Sequence, residues 1–398
     1  MATAFGGAKV NKEKSLMAGI RFGVQVFPYH QPHHNPTLQF EEDLQLVEHV
    51  DRLGFDEVWF GEHHSTGYES IASPEMMALA AAGRTKHIKL GLGVTSIPYH
   101  HPLMLADRIV QLDHLTRGRI IWGMGTGSVA QDAAMMGIDT TDLRRMSEEG
   151  VEAIAELLKF GDPVTRKTDW FELRDASLQL LPYSDKFDIR VAAMVSPSGP
   201  RLAGRHGHGL FQFGAMGEGM LANTWDIWNE TAAEYGHTPT RDRWSVLHHI
   251  YLAETEKQAR RDVEWGLRGV LENLGSIAPL FGDNPPETID GMVDELNAAM
   301  VIGTPEMAIE RIEAIQEASG GVGTFIIGNL EAAAPDRVRH SYELFAREVM
   351  PHFNGQKAHR LRAVERARDF GENATRLRAA QAKATADYEA HRADKATV

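Results

Sequence analysis

The chain has 398 residues, of which 43% are hydrophobic and 24% charged, enough to form one large domain with a sizeable core. Its net charge of −14 argues against nucleic acid and anionic membranes as partners, because both bind clustered lysine and arginine. The absence of cysteine excludes disulfides, thiolate zinc sites, iron–sulfur clusters and cysteine nucleophiles.

The N-terminal residues 1–19 contain basic side chains but lack the apolar core of a signal peptide. We expect them to form a disordered extension. No run approaches the eighteen apolar residues of a membrane-spanning helix. These features predict a cytoplasmic protein.

Residues 20–353 alternate between short apolar runs and amphipathic helical patterns, which predicts a single α/β domain. Eight such units favour a (β/α)8 TIM barrel, and an open doubly wound sheet is the alternative. The predicted strands are Ile20–Phe27, Asp56–Gly61, Lys89–Thr95, Ile120–Gly125, Ile189–Val195, Gly209–Phe213, Trp244–Ala253 and Gly323–Gly328. The predicted helices are Phe40–Leu53, Pro74–Thr85, Leu103–Leu115, Arg144–Phe160, Pro200–His206, Met220–Tyr235, Ala259–Leu274, Thr304–Glu317 and Pro335–Val349.

Three segments depart from this alternation. Gly161–Leu181 is predicted to be an excursion with a short β-like piece at Trp170–Leu173. Residues 275–300, after strand seven, have weak periodicity and a Pro-Pro pair, which predicts an insertion or lid. Residues 354–398 are rich in Arg, Lys, Glu and Ala and predict a polar helical arm that serves packing or dimer formation.

The second strand ends in Glu62-His63-His64. Titratable side chains at the carboxyl end of a barrel strand are typical of a catalytic mouth. A pair of surface or hydrogen-bonded core histidines is the plainer interpretation. The glutamate directly before them favours the functional one.

A metal hydrolase is the competing interpretation of so many histidines, since imidazoles from several strand ends can form a zinc site. The group after strand one is His-Gln-Pro-His-His rather than His-x-His, and strand eight ends in Gly328-Asn329-Leu330 without a carboxylate. We therefore expect no metal. The histidines concerned are His30, His33, His34, His63, His64, His100 and His101 at strand ends, and His248 and His249 within strand seven.

A glycine-rich turn, Gly123-Met124-Gly125-Thr126-Gly127-Ser128, follows strand four. It resembles a dinucleotide fingerprint, but Ser128 stands where the last glycine is required and no suitable acidic strand end follows. We interpret it as a place where the backbone approaches something flat, since glycine lacks a Cβ.

The turn Val195-Ser196-Pro197-Ser198-Gly199-Pro200 joins strand five to its helix. Hydroxyls and amides at a helix N-terminus can bind phosphate, so Ser196, Ser198 and the Gly199 amide are candidate ligands. Arg201 or Arg205 can add charge. An ordinary capped helix start is the alternative, and position on the same barrel face as the histidines favours phosphate.

A phosphate turn, glycine-rich backbone and aromatic side chains at one barrel mouth predict a flavin mononucleotide site. Candidate substrate-pocket residues are Phe27, Tyr99, His100 and Phe213, with Trp122 as a further candidate. They favour a small apolar organic substrate, although strand aromatics also commonly belong to the core.

The chain resembles the bacterial luciferase-like, flavin-dependent monooxygenase superfamily across about Ile20–Val349, and within it the limonene and diketocamphane monooxygenase-type group. The shared motifs are Asp56-x-x-Trp59-x-x-Glu62-His63-His64, Pro98-Tyr99-His100-His101-Pro102, Asp113-His114-Leu115-Thr116-Arg117-Gly118-Arg119 and Ser196-Pro197-Ser198-Gly199.

The resemblance implies a luciferase-like barrel, usually a homodimer, that receives reduced FMN from a separate NAD(P)H:flavin reductase and uses O2. It implies that His63 is catalytic, with Glu62 and His64 beside it. It places Thr95 and Ser96 where the family often has a non-proline cis peptide beneath the flavin. Cofactor contacts are implied for Thr95, Ser96, Gly125, Thr126, Ser196, Ser198 and Gly199.

The chain departs from luciferase after strand four, where Thr126 replaces a phosphate-contacting arginine and Gly125 replaces a cysteine. This departure leaves both FMN and FAD open. The sequence also leaves open epoxidation or hydroxylation of a terpene and Baeyer–Villiger oxidation of a cyclic ketone. A deazaflavin-dependent oxidoreductase on the same barrel and a non-catalytic flavin-binding protein are the remaining alternatives.

Overall fold

The computed structural model describes residues 19–26, 30–214, 218–277, 286–328 and 332–396. Contacts divide the chain into two compact units, Met1–Met350 and Pro351–Val398. The predicted extension at residues 1–19, apart from Gly19, lies outside the described residues. So does the predicted pocket residue Phe27, and so does part of the predicted lid.

Eight parallel strands of the first unit close into a barrel, which confirms the predicted (β/α)8 fold. Their order around the barrel is β1-β2-β3-β4-β7-β8-β9-β11, and β11 pairs with β1. The strands are β1 (Arg21–Val26), β2 (Glu57–Phe60), β3 (Lys89–Ser96), β4 (Ile120–Gly125), β5 (Val164–Lys167), β6 (Glu172–Ala176), β7 (Asp188–Ala193), β8 (Gly209–Phe213), β9 (Trp244–Leu252), β10 (Val301–Gly303) and β11 (Thr324–Gly328).

Three of these strands lie outside the barrel. β5 and β6 form an antiparallel hairpin within the predicted excursion. β10 pairs in parallel with β9 beyond the barrel wall. The hairpin extends further than the β-like piece that the sequence indicated.

Helices connect the strands, as predicted. One predicted helix after strand seven is divided into two, α8 and α9, and the insertion that follows contains a helix of its own, α10. The helices of the first unit are α1 (Pro36–Leu53), α2 (Pro74–Ala82), α3 (Pro102–Thr116), α4 (Ala130–Met135), α5 (Leu143–Leu157), α6 (Ser198–His206), α7 (Glu218–Glu234), α8 (Glu256–Val263), α9 (Leu267–Ile277), α10 (Ile289–Leu296), α11 (Pro305–Ser319) and α12 (Pro335–Leu344), and a π-helical turn, Phe345–Val349, follows α12.

Local sequence sets the ends of α1. The side chain of Asn35 accepts a hydrogen bond from the amide of Thr37 and caps the first turn. Gly54 ends the helix in the left-handed region with φ of 86°. Glycine therefore ends the helix in a conformation that other residues rarely adopt.

A cluster of apolar side chains fills the barrel axis, and Trp59 lies within it. A Cβ at Gly91 would lie 2.1 Å from the Trp59 indole, so this position needs glycine. Trp122 follows Ile121, an axial residue, and alternation places it on the outer face of β4, where it contacts Phe187. The axial cluster comprises Trp59, Ile121, Phe211, Leu247 and Ile326.

The second unit contains α13 (Met350–Phe353), which begins at the division, and the long helices α14 (Gln356–Asp369) and α15 (Asn373–Ala396). All side chains described from residue 354 to residue 395 are exposed. The predicted polar helical extension is therefore present.

Candidate active site

Glu62 lies just past the carboxyl end of β2, and its carboxylate is fully buried. Oε2 accepts a hydrogen bond of 2.6 Å from the amide of Ser96, which ends β3. Oε1 pairs with Nε2 of His100 at 2.7 Å and with Nε2 of His64 at 3.1 Å. Two neighbouring strand ends therefore bring two imidazoles to one carboxylate.

Burial alone would raise the pKa of Glu62, but the hydrogen bonds from His100 and His64 lower it below its usual value. The hydrogen bond that His64 donates to Glu62 raises the pKa of His64, and the nearby charge of Asp132 adds to this effect. Glu62 is therefore an anion at neutral pH, and His64 retains a proton more readily than a free imidazole.

His63 lies in a different environment, between two carboxylates. Its Nε2 is 2.9 Å from Oε2 of Glu69, and its Nδ1 is 3.4 Å from Oδ2 of Asp132. Burial would lower the pKa of His63, but Asp132 and Glu69 raise it to about 9. Asp132 also accepts a hydrogen bond of 3.1 Å from the amide of His64.

His100, predicted as a pocket residue, belongs to the Glu62 cluster. Nη2 of Arg108 donates to Nδ1 of His100 at 3.3 Å. Nε of Arg108 donates to Oε1 of Glu75 at 3.2 Å. A continuous set of contacts thus leads from Glu75 on α2, through Arg108 on α3, to Glu62.

Tyr99 borders both this cluster and the glycine-rich turn. Its hydroxyl is buried without a hydrogen-bond partner among the described residues, and its ring lies edge-on to His64 at 5.9 Å. A Cβ at Gly127 would lie 2.5 Å from that hydroxyl. Burial and the charges of Asp132 and Glu62 raise the pKa of Tyr99 to about 12, so it remains a proton donor.

The end of β3 differs in one detail from what the resemblance implied. The cis peptide bond that is not before proline joins Gly93 and Val94 rather than Thr95 and Ser96. The pairing of β3 with β4 shifts register between Leu92 and Thr95. Thr95 is fully buried, and its hydroxyl has no partner among the described residues.

The predicted contacts at Gly125 and Thr126 have local explanations in the fold. A Cβ at Gly125 would lie 2.4 Å from Cγ2 of Val94, so packing already requires glycine there. The hydroxyl of Thr126 donates to the carbonyl of Gly127 at 3.2 Å. Gly93 and Gly123 also lie against the Trp59 indole. The flat group that these glycines accommodate is therefore, in part, a side chain of the protein itself.

Ser196 and Ser198 stand where β7 leads into α6, and their hydroxyls are 2.7 Å apart. A Cβ at Gly199 would lie 2.2 Å from the carbonyl oxygen of Ala192, so glycine lets α6 approach the strand. The two serines line a depression of about 300 Å3 together with Arg144, Glu148, Pro197, Arg201, Leu202 and Arg205.

The arginines of this depression differ in their pairing. Arg205 is held by Glu152 at 3.2 Å. Arg144 and Arg201 have no carboxylate within 4 Å in the part of the chain that the structure describes. Two guanidinium groups without a carboxylate partner in this part of the structure therefore flank the serine hydroxyls. They provide positive charge, which the chain lacks at Thr126, where luciferase has an arginine.

The inner surface at the barrel mouth combines small and apolar residues. A Cβ at Gly61 would have no atom nearer than 3.7 Å, so the backbone is not crowded there. Phe213 and Val94 are partly buried and pack on the axial cluster. These side chains give the mouth an apolar floor.

Sequence reasoning missed Glu69, Arg108, Asp132 and Arg144. Their only signal was charge close to a predicted strand end, which many surface residues share. Within the described ranges, no group of three or more His, Asp or Glu side chains is arranged to hold a metal ion. None of the described helices has the length and apolar character needed to cross a bilayer.

Comparison with known proteins gives consistent results along most of the chain. Residues 20–321 match the family described as luciferase-like monooxygenase. Limonene 1,2-monooxygenase of Rhodococcus erythropolis is 47% identical over 380 residues, covering 94% of this chain and 97% of the relative. 4-Hydroxyprotoasukamycin monooxygenase of Streptomyces nodosus subsp. asukaensis is 39% identical and covers 85% and 94% of the two chains.

A solved structure with a similar fold is the oxygenating constituent of 3,6-diketocamphane monooxygenase from Pseudomonas putida, a type II Baeyer–Villiger monooxygenase in complex with FMN. It is 27% identical, with a TM-score of 0.69 over 84% of this chain and 98% of that one.

Proposed function

Because the chain belongs to the luciferase-like monooxygenase family, we propose that it oxygenates a small apolar organic substrate with O2 and reduced FMN supplied by a separate NAD(P)H:flavin reductase. The observation that carries this proposal is a pairing of two features at the carboxyl ends of barrel strands. A buried carboxylate with two imidazoles follows β2, and a serine turn flanked by unpaired arginines follows β7.

The depression after β7 suits the phosphate of FMN. Hydroxyls of Ser196 and Ser198 can donate to phosphate oxygens, and Arg144 and Arg201 supply two positive charges. A terminal phosphate carries close to two negative charges at neutral pH, which the two arginines offset and which Glu148, in the same depression, opposes in part. FMN is also the group bound in the diketocamphane monooxygenase structure. FAD is the alternative that the titration below distinguishes.

A bound reduced flavin would supply the two electrons for the reduction of O2, from which one oxygen atom would pass to the substrate. The residues of this chain bind its phosphate, provide an apolar floor through Phe213 and Val94, and hold protons nearby. Tyr99 and the imidazoles on Glu62 are the proton-bearing groups. Residues 275–300 remain a predicted lid that would exclude water.

The charge state of the imidazoles favours one reaction type over the other. The pKa of His63 is raised to about 9, so His63 holds a proton at neutral pH, and the pKa of His64 is raised above its ordinary value by its hydrogen bond to Glu62. A protonated oxidant is electrophilic and attacks an electron-rich double bond, whereas attack on a ketone carbonyl requires the deprotonated form. We therefore propose an alkene-containing terpene as substrate, as the name of the 47% identical relative suggests.

The first experiment is a binding titration with reduced FMN, reduced FAD and reduced deazaflavin under anaerobic conditions. We expect FMN to bind most tightly, and Arg201→Met to weaken it about tenfold or more. Arg261→Met on α8 is the matched control. Preference for the deazaflavin without O2 consumption would refute the proposal, and so would stoichiometric zinc in elemental analysis.

The second experiment supplies NADH, a flavin reductase, O2 and limonene, and measures products by gas chromatography. Oxygenated limonene is the expected product, and a cyclic ketone should be converted more slowly. Release of hydrogen peroxide alone, with any terpene or ketone, would indicate a flavin-binding protein without oxygenase activity. A homodimer and a cytoplasmic location stay predictions, and light scattering tests the first.

A further inference from the structure

The two adjacent histidines differ in which nitrogen atoms are already engaged. Both nitrogens of His63 face carboxylates, Glu69 at 2.9 Å and Asp132 at 3.4 Å. Only Nε2 of His64 is engaged, by Glu62, and Nδ1 has no hydrogen-bond partner in the described part of the chain. The side chain of His64 is 22% exposed, so a bound molecule can reach it. A proton can leave Nδ1 of His64 while Nε2 keeps its hydrogen bond to Glu62.

His100, which shares Glu62 with His64, is held in one tautomer. A guanidinium group only donates hydrogen bonds, so Nδ1 of His100 must accept from Arg108 and carries no proton. The proton of a neutral imidazole then lies on Nε2, which donates to Glu62 at 2.7 Å. His100 therefore gives Glu62 a hydrogen bond but no positive charge.

This contact also excludes a proton relay to the surface through Arg108. An arginine does not deprotonate in proteins, so it cannot pass a proton along. Its effect on the cluster is electrostatic and geometric. With His100 neutral, the whole negative charge of Glu62 acts on His64.

We propose that His64, through Nδ1, supplies the proton consumed in oxygenation, and that Arg108 is a positioning residue that keeps His100 neutral so that Glu62 stabilises only the His64 cation. This proposal rests on the proposed monooxygenase function. It assigns His63, which the family resemblance implies to be catalytic, to holding Glu69 and Asp132 in place.

The proton balance of the reaction shows why one such donor is needed. Reduced flavin anion, O2, substrate and one proton give oxidised flavin, the oxygenated substrate and water. The flavin provides two electrons and its own proton, and the second proton on the water comes from Nδ1 of His64. Solvent returns a proton to His64 between turnovers.

The groups that face His64 determine how it titrates. Glu62 and Asp132 favour its charged form, whereas His63 disfavours it. Tyr99 lies against its ring, and His100 shares its carboxylate. Loss of Arg108 leaves Nδ1 of His100 free to take up a proton, and a second imidazolium on Glu62 would repel the first.

The direct test is a histidine 15N NMR titration of the full-length protein, with and without oxidised FMN. His64→Gln and His63→Gln assign the signals. We expect the His64 signal to change at Nδ1 as pH rises, and both nitrogens of His63 to stay protonated up to about pH 8. In Arg108→Met the His64 midpoint should fall by about one pH unit. Arg108→Lys should largely restore it, because an ammonium group also only donates.

Arg84→Met is the matched control, since Arg84 is a partly exposed arginine that pairs with Glu41 and Glu48 on α1. It should leave the His64 midpoint unchanged. An unchanged midpoint in Arg108→Met, or a His63 that titrates near neutral pH while His64 does not, would overturn the proposal.

The functional readout is the ratio of oxygenated product to hydrogen peroxide, measured across pH. His64→Gln should lower this ratio about 100-fold, while His63→Gln should keep a wild-type pH profile in the molecules that fold. Arg108→Met should move the alkaline decline of the ratio to lower pH by about one unit. If no substrate is oxygenated at all, the monooxygenase proposal fails, and the NMR titration still decides the proton assignment.

Discussion

Two glutamates near strand β2 are buried, one at each end of the barrel. They differ in their hydrogen-bond partners. At the amino end, Glu57 accepts two hydrogen bonds of 2.9 Å from Arg190. At the carboxyl end, Glu62 accepts from a backbone amide and from two imidazoles. Both carboxylates are almost completely removed from water.

The amino-end network has a fixed charge. Glu57 also accepts hydrogen bonds from Nε1 of Trp59 and the hydroxyl of Thr324. Burial would lower the pKa of Arg190, but Glu57 and Asp188 raise it well above its usual range. Arg190 therefore keeps its positive charge at neutral pH, and its contacts hold strands of the barrel together.

The carboxyl-end network exchanges the arginine for histidines, and histidine is the side chain that titrates near neutral pH. Burial of one glutamate with similar geometry thus serves two purposes, according to what it faces. The general rule for such barrels, stability at the amino end and chemistry at the carboxyl end, follows here from the choice of hydrogen-bond donor.

The largest expected effect separates the two ends by activity. Glu62→Gln removes the anion that stabilises His64, and we expect oxygenation to fall by about 10²- to 10⁴-fold. Unfolding free energy should change by only about 1–2 kcal/mol, because the remaining groups keep most hydrogen bonds. Product formation and urea denaturation measure the two. Activity within tenfold of wild type would show that Glu62, like Glu57, serves the fold rather than the chemistry.

The converse change is Glu57→Gln. It leaves the buried guanidinium of Arg190 with Asp188 as its remaining charged partner, and should lower the free energy of unfolding by about 3 kcal/mol. Oxygenation per folded molecule should stay within twofold. The double variant Glu57→Gln/Arg190→Met removes both charges and should recover part of the loss, and urea denaturation of all three proteins tests this.

The sequence predicted the functional cluster around Glu62 at the carboxyl end but not the buried pair of Glu57 and Arg190 at the amino end. Glu62-His63-His64 was visible because its members are consecutive and lie at a strand end. Glu57 and Arg190 are 133 residues apart, and neither stands in a pattern that indicates burial. Pairing across a closed barrel brings them together, and no local feature of either strand contains that information.

The barrel itself was largely predictable, since all eight predicted strands lie within two residues of those observed. Periodicity and glycine stops act locally, so they can be read from short windows. The interpretation that glycines let the backbone approach a flat group explains their positions only in part. Gly91 makes room for Trp59, Gly93 lies equally close to Trp59 and Gln25, and Gly123 chiefly makes room for the carbonyl oxygen of Leu92. A sequence cannot distinguish a ring that the chain supplies from one that it binds.

The pH dependence of the unfolding free energy also distinguishes the two ends of the barrel. Folding raises the pKa of His63 from 6.5 to about 9, so the folded state binds more protons between these values. This contribution, on the order of 3 kcal/mol, is fully present below pH 6.5 and is lost as pH rises through 9. His63→Gln should flatten the alkaline limb of unfolding free energy measured in urea, whereas Arg190 contributes nothing to that limb.

The acid limb has a different origin, which provides the control. Burial lowers the pKa of His208 and His248 to about 3 and that of His249 to about 4. These imidazoles stabilise the fold above pH 6.5, and that contribution is lost as pH falls towards 4. His63 also lowers the pKa of Asp132, so His63→Gln should remove the Asp132 part of the acid limb and leave the part that comes from these three imidazoles. Loss of the whole acid limb would show that His63 supports the barrel generally.

A smaller effect compares arginines. Arg190 is buried and paired, whereas Arg201 has no carboxylate partner in the described structure. Arg201→Met should therefore leave unfolding free energy within about 0.5 kcal/mol of wild type and weaken FMN binding about tenfold or more. Arg205→Met should weaken binding less, because Glu152 already holds that side chain. Fluorescence titration measures both, and equal losses would contradict the distinction.

The smallest expected effect lies at the outer edge of the carboxyl-end network. Glu75→Gln removes the charge that anchors Nε of Arg108, but an amide oxygen can still accept that hydrogen bond. The side chain of Arg108 is 38% exposed, so solvent screens the loss. The alkaline decline of the ratio of oxygenated product to hydrogen peroxide should shift by less than about 0.3 pH unit, against about one unit for Arg108→Met. A shift as large as that of Arg108→Met would mean that Glu75, rather than contact with His100, sets the position of the guanidinium. The Glu62 network would then be controlled from the surface, where Arg21 also joins the network of Glu57 at 3.5 Å.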